Sequence, residues 1–394
     1  MPKKKKIAFV IEKLAQRGGG AERVLIEVAN SLARRGHHIE IVTHEYRGRP
    51  PAYPLEPGII LNNLRPHRRS RFKQLIQPMR KALNTAHSIP LIDRVVWLNR
   101  HGAFWRRLGQ HLSATRPDVA IAFMPPAITA LAYAKVSHDM LRVASTHNAP
   151  AQDYENPARW DPSRLDRKRR LQCLDRLDKI CVLLPEYANY YELDAGKVVV
   201  LPNAVTPAET PVPARQRAPL IVASGRLERV KRHDLSVLAW RQIQDKFPDW
   251  SLQIFGEGSM RKSLERLIVE NRVERVKLMG HRSDILNRVG KAAVLSHPAT
   301  YEGFPLAVCE ALAAGTPVVG FSDCSGLNYL VEDEVNGLLV PPSDRVANFA
   351  RTLERILSDA ELRETLSLGG PPSIAQYSPE AVTEMWEDIL YGRR

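Results

Sequence analysis

At 394 residues the chain exceeds one ordinary domain and fits two, and with 44% hydrophobic and 25% charged residues it reads as globular, which sets disordered and fibrous classes aside. Lys and Arg outnumber Asp and Glu by 57 to 43; the formal net charge of +14 favours anionic partners (nucleic acid, anionic membrane, phosphorylated small molecules) without choosing among them. Cys173, Cys181, Cys309 and Cys324 form no C-x-x-C pair, so neither a zinc site nor a disulfide framework is expected, and a reducing compartment follows.

The basic start Lys3-Lys4-Lys5-Lys6 runs straight into a short strand over 7–11, without the apolar stretch and cleavage site of a secretory signal. The longest uncharged run, 119–134, is interrupted by Pro125-Pro126 and is too short to span a bilayer. The expected location is the cytoplasm, or the inner face of the cell membrane. Further apolar, β-branched runs predict strands over 39–43, 119–122, 141–145, 180–183 and 198–201 in the first half. In the second half they predict strands over 220–223, 252–255, 276–279, 294–296 and 318–320. Several lack alternation, as strands covered on both faces do, and helical stretches separate them; this is the pattern of parallel α/β sheets.

Between the first two strands, Gly18-Gly19-Gly20 opens a helix over 21–33, where glycine permits close backbone approach to phosphate or sugar. Glu45 follows the second strand, so from this end of the chain a nicotinamide-cofactor reading stays open, although the glycine spacing is not G-x-G-x-x-G. The stretch 47–66 reads as irregular and proline-rich. After it come Arg65, His67, Arg68, Arg69, Arg71, Lys73, Arg80 and Lys81, with Phe72, Leu75, Ile76 and Met79 interleaved, predicting an amphipathic helix over 70–83 kinked by Pro78. Trp97, Trp105, Arg100, Arg106 and Arg107 would extend that amphipathic surface. Prolines 207, 211, 213 and 219 mark a stiff connector over 204–219, with a doubly wound sheet on each side and one cleft between them.

The chemistry concentrates in Glu302-Gly303-Phe304-Pro305-Leu306-Ala307-Val308-Cys309-Glu310. Pro305 suits the first position of a helix and Gly315 its C-terminal cap, so strand end and helix start meet at 302–307, where open α/β sheets bind ligands. Free amides at Leu306 and Ala307 would attract phosphate or sugar oxygens, and Glu302 and Glu310 would accept hydrogen bonds from ligand hydroxyls. Solvated or salt-bridged carboxylates are the plain alternative. Arg226 and Lys231, after the strand at 220–223, would neutralise a diphosphate; surface cations in a basic protein are the alternative there.

The 302–310 stretch resembles the E-x7-E signature of the large fourth family of retaining glycosyltransferases, which have the GT-B fold. Gly18-Gly19-Gly20-Ala21-Glu22-Arg23 is similar to that family's glycine-rich first loop, and Gly225-Arg226-Leu227 with Lys231 to its GRL…K motif. Phe255-Gly256-Glu257-Gly258 and Asn336-Gly337-Leu338-Leu339-Val340-Pro341-Pro342 match two further landmarks, in the family's order, within a similarity running from residue 7 to about 390. The resemblance implies an α/β GT-B fold of two Rossmann-like doubly wound domains facing a central cleft: 1–205 binding acceptor, 206–373 binding nucleotide-sugar, and a C-terminal helix over 374–394 returning to the first domain.

It further implies a retaining hexosyltransferase that moves a hexose or N-acetylhexosamine from a nucleotide-sugar, with family frequency favouring UDP, to a glycan or polyprenyl-diphosphate-linked acceptor in cell-surface polysaccharide assembly. The second glutamate, Glu310, would bind the ribose and the first, Glu302, the donor sugar. Arg226 and Lys231 would stabilise the leaving diphosphate, and His147 would sit beside the reacting sugar. Gly19, Gly20, Gly225, Gly256, Gly258, Phe304, Pro305, Leu306 and Ala307 would complete the donor contacts. Arg68, Arg69, Arg71 and Lys73 would meet the acceptor or an anionic membrane surface. With no D-x-D anywhere, neither a metal nor another cofactor is expected. The competing readings are a basic nucleic-acid-binding protein, which lacks the usual recognition motifs so that no nucleic acid is expected, and a nucleotide-sugar epimerase or glycogen-type phosphorylase on the same architecture.

Overall fold

A computed structural model describes residues 3–16, 18–45, 50–65, 90–156, 160–161, 164–194, 196–208, 212–282 and 284–394. The chain forms two compact units, one from Met1–Pro202 with Val382–Arg394, the other from Asn203–Ala381.

In the first unit the strands are β1 (Lys6–Ile11), β2 (His38–Thr43), β3 (Ile60–Asn63), β4 (Val119–Phe123), β5 (Leu141–Ser145), β6 (Lys179–Val182) and β7 (Val198–Val200). They pair in parallel in the order β3-β2-β1-β4-β5-β6-β7. The central strand β4, Val-Ala-Ile-Ala-Phe, is buried along its whole length, which is why its apolar run does not alternate. β3 lies inside the stretch read as irregular; it is an edge strand whose residues Ile60 and Leu61 remain exposed and whose other two are Asn62 and Asn63. Its conformation comes from pairing with β2, not from its own composition.

Helix Gly20–Arg34 buries Val24, Leu25, Ile26, Val28, Ala29 and Leu32, with Glu22 in its first turn and Arg34 in its last, the polarity that the helix dipole favours. Helix Pro90–Thr115 corrects the amphipathic reading of its tryptophans. Trp97 is fully buried, donates to Asp166 at 2.9 Å and lies under the Arg169 guanidinium, 4.3 Å from the ring centre. Trp105 packs on Trp97 and Tyr133, Arg100 pairs with Asp161 at 2.8 Å, and Arg107 reaches His44; of this group Arg106 is the exposed one. At the other end of the chain, Glu387 of helix Pro379–Leu390 binds Arg35 at 2.8 Å and His37 at 3.2 Å, and Trp386 stacks on Phe123.

The second unit carries β8 (Ala218–Ser224), β9 (Ser251–Phe255), β10 (Val276–Gly280), β11 (Ala292–His297), β12 (Val318–Phe321) and β13 (Gly337–Val340), parallel in the order β10-β9-β8-β11-β12-β13. β13, read from the sequence as a landmark and not as a strand, fits because a Cβ at Gly337 would stand 2.4 Å from the Val318 carbonyl oxygen. Asn336 before it is wholly buried and bonds the Leu330 carbonyl and the Glu332 amide. The proline-rich connector ends at Arg217, which donates to the carbonyls of Val212 and Ala314 and to Thr316 Oγ1. Burial pushes its guanidinium down to about 10.

Among the described residues no helix is long and apolar enough to cross a membrane. All four cysteines are free and buried. The segment 66–89, with the whole of the amphipathic helix predicted over 70–83, lies outside the described residues.

Candidate functional site

In the second unit the chain leaves β8 for β9 and β10 on one side, then returns to place β11 on the other. β8 and β11 are therefore neighbours whose chains run on to strands on opposite sides, and the C-terminal ends of such a strand pair are where open α/β sheets bind ligands. The loop after β8 leads through Gly225-Arg226-Leu227 to a 3-10 turn, Arg229–Lys231, and helix His233–Ile243. The loop after β11 leads through Glu302 to helix Leu306–Ala313.

The two loops meet in an ion pair between Lys231 Nζ and Glu302 Oε1. The same carboxylate oxygen lies 3.0 Å from Nε2 of His297, the last residue of β11, which is buried. A third loop, after β12, fastens the Glu302 backbone: its amide donates to the Ser325 carbonyl at 3.0 Å, and the Ser325 hydroxyl donates back at 3.4 Å. Gly326 has φ +76°, and a Cβ there would stand 2.9 Å from the Glu302 carbonyl oxygen.

With side-chain exposures of 18% for Lys231 and 13% for Glu302, the pair is largely withdrawn from water. Burial alone would raise the Glu302 carboxyl; the Lys231 ammonium and the His297 hydrogen bond outweigh it and hold the group at about 2. The folded-state value is thus below the unfolded one, so the pair stabilises the unit fully above the ordinary glutamate range and loses that contribution as pH falls toward about 2. Denaturant midpoints measured between pH 5 and pH 3 are expected to fall more steeply for the wild type than for Glu302→Gln, and parallel curves would contradict this. Behind the pair, burial first, then Lys231 and His297, push His233 down to about 4, which keeps its ring neutral.

The glycines of this region answer first to chain packing. Gly225 donates to the Phe255 carbonyl, Leu227 to that of Glu257, and Met260 to that of Leu227, so the loops after β8 and β9 lie backbone against backbone. A Cβ at Gly256, where φ is +138°, would fall 1.9 Å from the Gly225 oxygen, and one at Gly258 would fall 2.4 Å from that of Leu227. Arg226 is exposed on this loop and makes no side-chain bond among the described residues, so the structure brings Lys231, not Arg226, to Glu302.

Helix Leu306–Ala313 starts one residue later than expected: Pro305 is its N-cap, with φ −73° and ψ 98°. The Pro305 carbonyl takes the amides of Val308 and Cys309, leaving those of Leu306 and Ala307 at the helix mouth without an intrahelical partner. Phe304 is buried edge-on against Tyr377, Glu310 is half-buried in the second turn, and Gly315 takes the left-handed conformation just past the helix, with φ +67°.

In the first unit Gly19 caps and Gly20 opens helix Gly20–Arg34. Glu45, whose position had kept a nicotinamide reading open, takes the amides of Leu14 and Ala15 at 3.1 Å, so its carboxylate serves the chain's own loop. His147, after β5, stacks on Phe123 with ring centres 4.7 Å apart, and its Nε2 lies 3.0 Å from Ser145 Oγ. Arg68, Arg69, Arg71 and Lys73 lie outside the described residues. Among the described residues no three or more His, Cys, Asp or Glu side chains are grouped to hold a metal ion.

Sequence reasoning missed His297, His233 and the Ser325–Gly326 strap. The signal for the first was available: a polar residue closing an apolar strand at the end where ligands bind. The other two depend on strand order.

Two parallel six- and seven-stranded Rossmann-like sheets in one chain define the class, an α/β protein of the GT-B fold. Residues 18–209 match the family described as Glycosyltransferase Family 4 and residues 208–370 that described as Glycosyl transferases group 1, and the chain belongs to the GT4-like glycosyltransferases. An uncharacterized glycosyltransferase of Haemophilus influenzae is 23% identical over 390 residues, 98% of this chain and 100% of its own. The GalNAc-alpha-(1->4)-GalNAc-alpha-(1->3)-diNAcBac-PP-undecaprenol alpha-1,4-N-acetyl-D-galactosaminyltransferase of Campylobacter jejuni is 25% identical over 403 residues, 98% of each chain. A lipopolysaccharide core biosynthesis glycosyltransferase of Rhizobium meliloti is 29% identical over 203 residues, 50% of this chain and 55% of its own. Among solved structures, sucrose-phosphate synthase of Thermosynechococcus elongatus superposes with TM-score 0.76 at 21% identity, covering 99% of both chains. Anabaena HepE in complex with UDP and glucose gives 0.71 at 18%, covering 98% of this chain and 99% of its own.

Proposed function

We propose that this glycosyltransferase is a retaining, metal-independent hexosyltransferase, moving a hexose or N-acetylhexosamine from a UDP-sugar to a glycan or lipid-linked glycan acceptor in cell-surface polysaccharide assembly. The observation that carries the reading is the Lys231–Glu302 pair beside the free helix amides at Leu306 and Ala307, an ammonium and a carboxylate beyond the C-terminal ends of β8 and β11. Further support comes from the relatives named for undecaprenol-linked glycan and lipopolysaccharide core synthesis, and from the similar fold of a protein solved with UDP and glucose.

Lys231, Arg226 and the helix amides would take the place of a metal at the departing diphosphate, each charge-assisted bond contributing about 1.5–3 kcal/mol. The family resemblance assigns the ribose to Glu310, the donor sugar to Glu302, and a hydrogen bond at the reacting sugar to His147. The acceptor hydroxyl attacks the anomeric carbon on the face the diphosphate leaves; its proton passes to the leaving phosphate oxygen as the old C–O bond breaks and the new one forms. Arg68, Arg69, Arg71 and Lys73 supply cationic charge for an anionic membrane surface or a lipid-linked diphosphate acceptor.

A saturation-transfer NMR screen of nucleotide-sugars tests the reading. At least one UDP-sugar is expected to give transfer with the wild type, and the ribose signals are expected to vanish with Glu310→Ala. Silence across all nucleotide-sugars would refute it. A transferred sugar of inverted anomeric configuration would refute the retaining course, and loss of turnover in a chelator would refute metal independence.

A further inference from the structure

In the first unit His44 follows β2 directly and is buried. Its ring lies flat against Phe104, with ring centres 4.8 Å apart and planes at 10°. Phe104 and Arg107 share one face of helix Pro90–Thr115, so the helix that stacks the ring also brings a guanidinium to its edge. Arg107 Nη1 donates to His44 Nε2 at 3.1 Å. A guanidinium can only donate, so Nε2 holds the lone pair and the hydrogen of the neutral ring sits on Nδ1. Burial, Arg65 and Arg107 push the ring down to about 4, which keeps it neutral.

This corner is rich in donors and short of acceptors. Arg107 is half-buried, and the bond to His44 is its one hydrogen bond or ion pair among the described residues. Other inward arginines of the unit meet carboxylates: Arg100 pairs with Asp161 at 2.8 Å and Arg170 with Asp166 at 2.6 Å. Arg65, after β3, is a second cation close enough to act on His44. The neighbouring carboxylates are committed elsewhere. Glu45 takes the Leu14 and Ala15 amides, Glu40 takes His111 Nε2 at 2.6 Å and the Asn62 side chain, and Glu12 lies 3.7 Å from Lys13. His44 Nδ1 has no hydrogen-bond partner among the described residues, and neither it nor the Arg107 guanidinium is sealed from solvent. Positive charge partly withdrawn from water, beside a neutral N–H donor and without a counter-ion, is completed by an anion that offers several oxygens.

We propose that His44 and Arg107, with Arg65, form an anion subsite in the first unit that takes a phosphate group of the acceptor. The inference rests on the reading above, in which the first unit binds the acceptor, and gives that acceptor a chemical class, a phosphate ester. Arg107 supplies charge-assisted bonds, His44 adds the Nδ1 hydrogen, and Phe104 fixes the plane of the ring. The subsite lies at the C-terminal end of a parallel strand, the side on which open α/β sheets hold ligands. The diphosphate of a lipid carrier and the phosphate of a sugar present the same oxygens to it.

NMR of isotope-labelled imidazoles reports on the site locally, the His44 signal being the one lost in His44→Gln. Inorganic pyrophosphate is expected to move that signal saturably in the wild type. Arg107→Gln keeps a donor for Nε2 but no charge, and is expected to weaken the apparent affinity about tenfold or more; Arg107→Lys, which restores the charge, is expected to recover part of the loss. A His44 signal that stays in place in the wild type overturns the subsite, and so does equal affinity in Arg107→Gln, which would make Arg107 purely structural. Geranyl diphosphate and glucose 6-phosphate separate the two sources: tighter binding of the first assigns the phosphate to a lipid carrier, of the second to a sugar. Saturation transfer to UDP reads the donor site by itself. UDP silent while pyrophosphate moves His44 would refute the donor and leave the subsite standing; UDP bound with His44 unmoved would refute the subsite alone. Should Arg107→Gln not fold, Arg65→Gln is read in the same way.

Discussion

Lys231→Ala is expected to lower turnover with a nucleotide-sugar by about 10²–10³, the usual consequence of removing one group that meets charge developing in a transition state. It is also expected to destabilise the second unit by on the order of 2 kcal/mol, because it leaves the Glu302 carboxylate largely buried without its ammonium. The two effects separate in a double variant. Lys231→Ala with Glu302→Gln removes both charges, so thermal stability should return most of the way to wild type while activity stays low. Thermal denaturation and a product assay on the four proteins make the comparison. A double variant whose loss of stability equals the sum of the two single losses would show that the two groups do not interact, and a single variant with turnover within tenfold of wild type would remove Lys231 from the chemistry.

The second large effect is structural. Gly256→Ala places a methyl 1.9 Å from the Gly225 oxygen, at φ +138°, where an L side chain is strained even in open space. Neither side can yield easily, because the contact is backbone on backbone and the loops are tied by the Gly225 and Leu227 amides. Backbone strain and overpacking together are expected to remove about 3 kcal/mol, lowering the melting temperature by roughly 6–12 °C. Gly58→Ala is the matched control: it too has positive φ, but its Cβ would meet nothing within 4 Å. Equal losses at both positions would show that local dihedral strain alone sets the effect, and not the contact between loops.

What the sequence reveals follows from how much each element depends on itself. Strands near the middle of each sheet, such as β1, β4 and β11, are covered on both faces, and their unbroken apolar runs announce them. β3 and β13 lie at sheet edges and owe their conformation to a neighbour; nothing in Ile-Leu-Asn-Asn distinguishes a strand from a loop. Trp97 was misread because arginines surround it in sequence. Its partner, Asp166, comes from another helix and turns the indole inward. At the site, the E-x7-E spacing and the cation after β8 were legible as residues, but their pairing spans 71 positions and needs the strand order. The Ser325–Gly326 strap is hidden for the same reason: only when β12 lies beside β11 does its loop reach Glu302.

The reversal of strand order also divides the strands of the second unit into two flanks. The strands between Lys231 and the start of β11, β9 and β10, lie to one flank of β8, while β12 and the strap that follows it lie on the other. A chimera that exchanges that flank for the equivalent piece of a relative would inherit a different wall while keeping the native charge pair, provided the graft brings glycines at 256 and 258 to fit the Gly225–Leu227 turn.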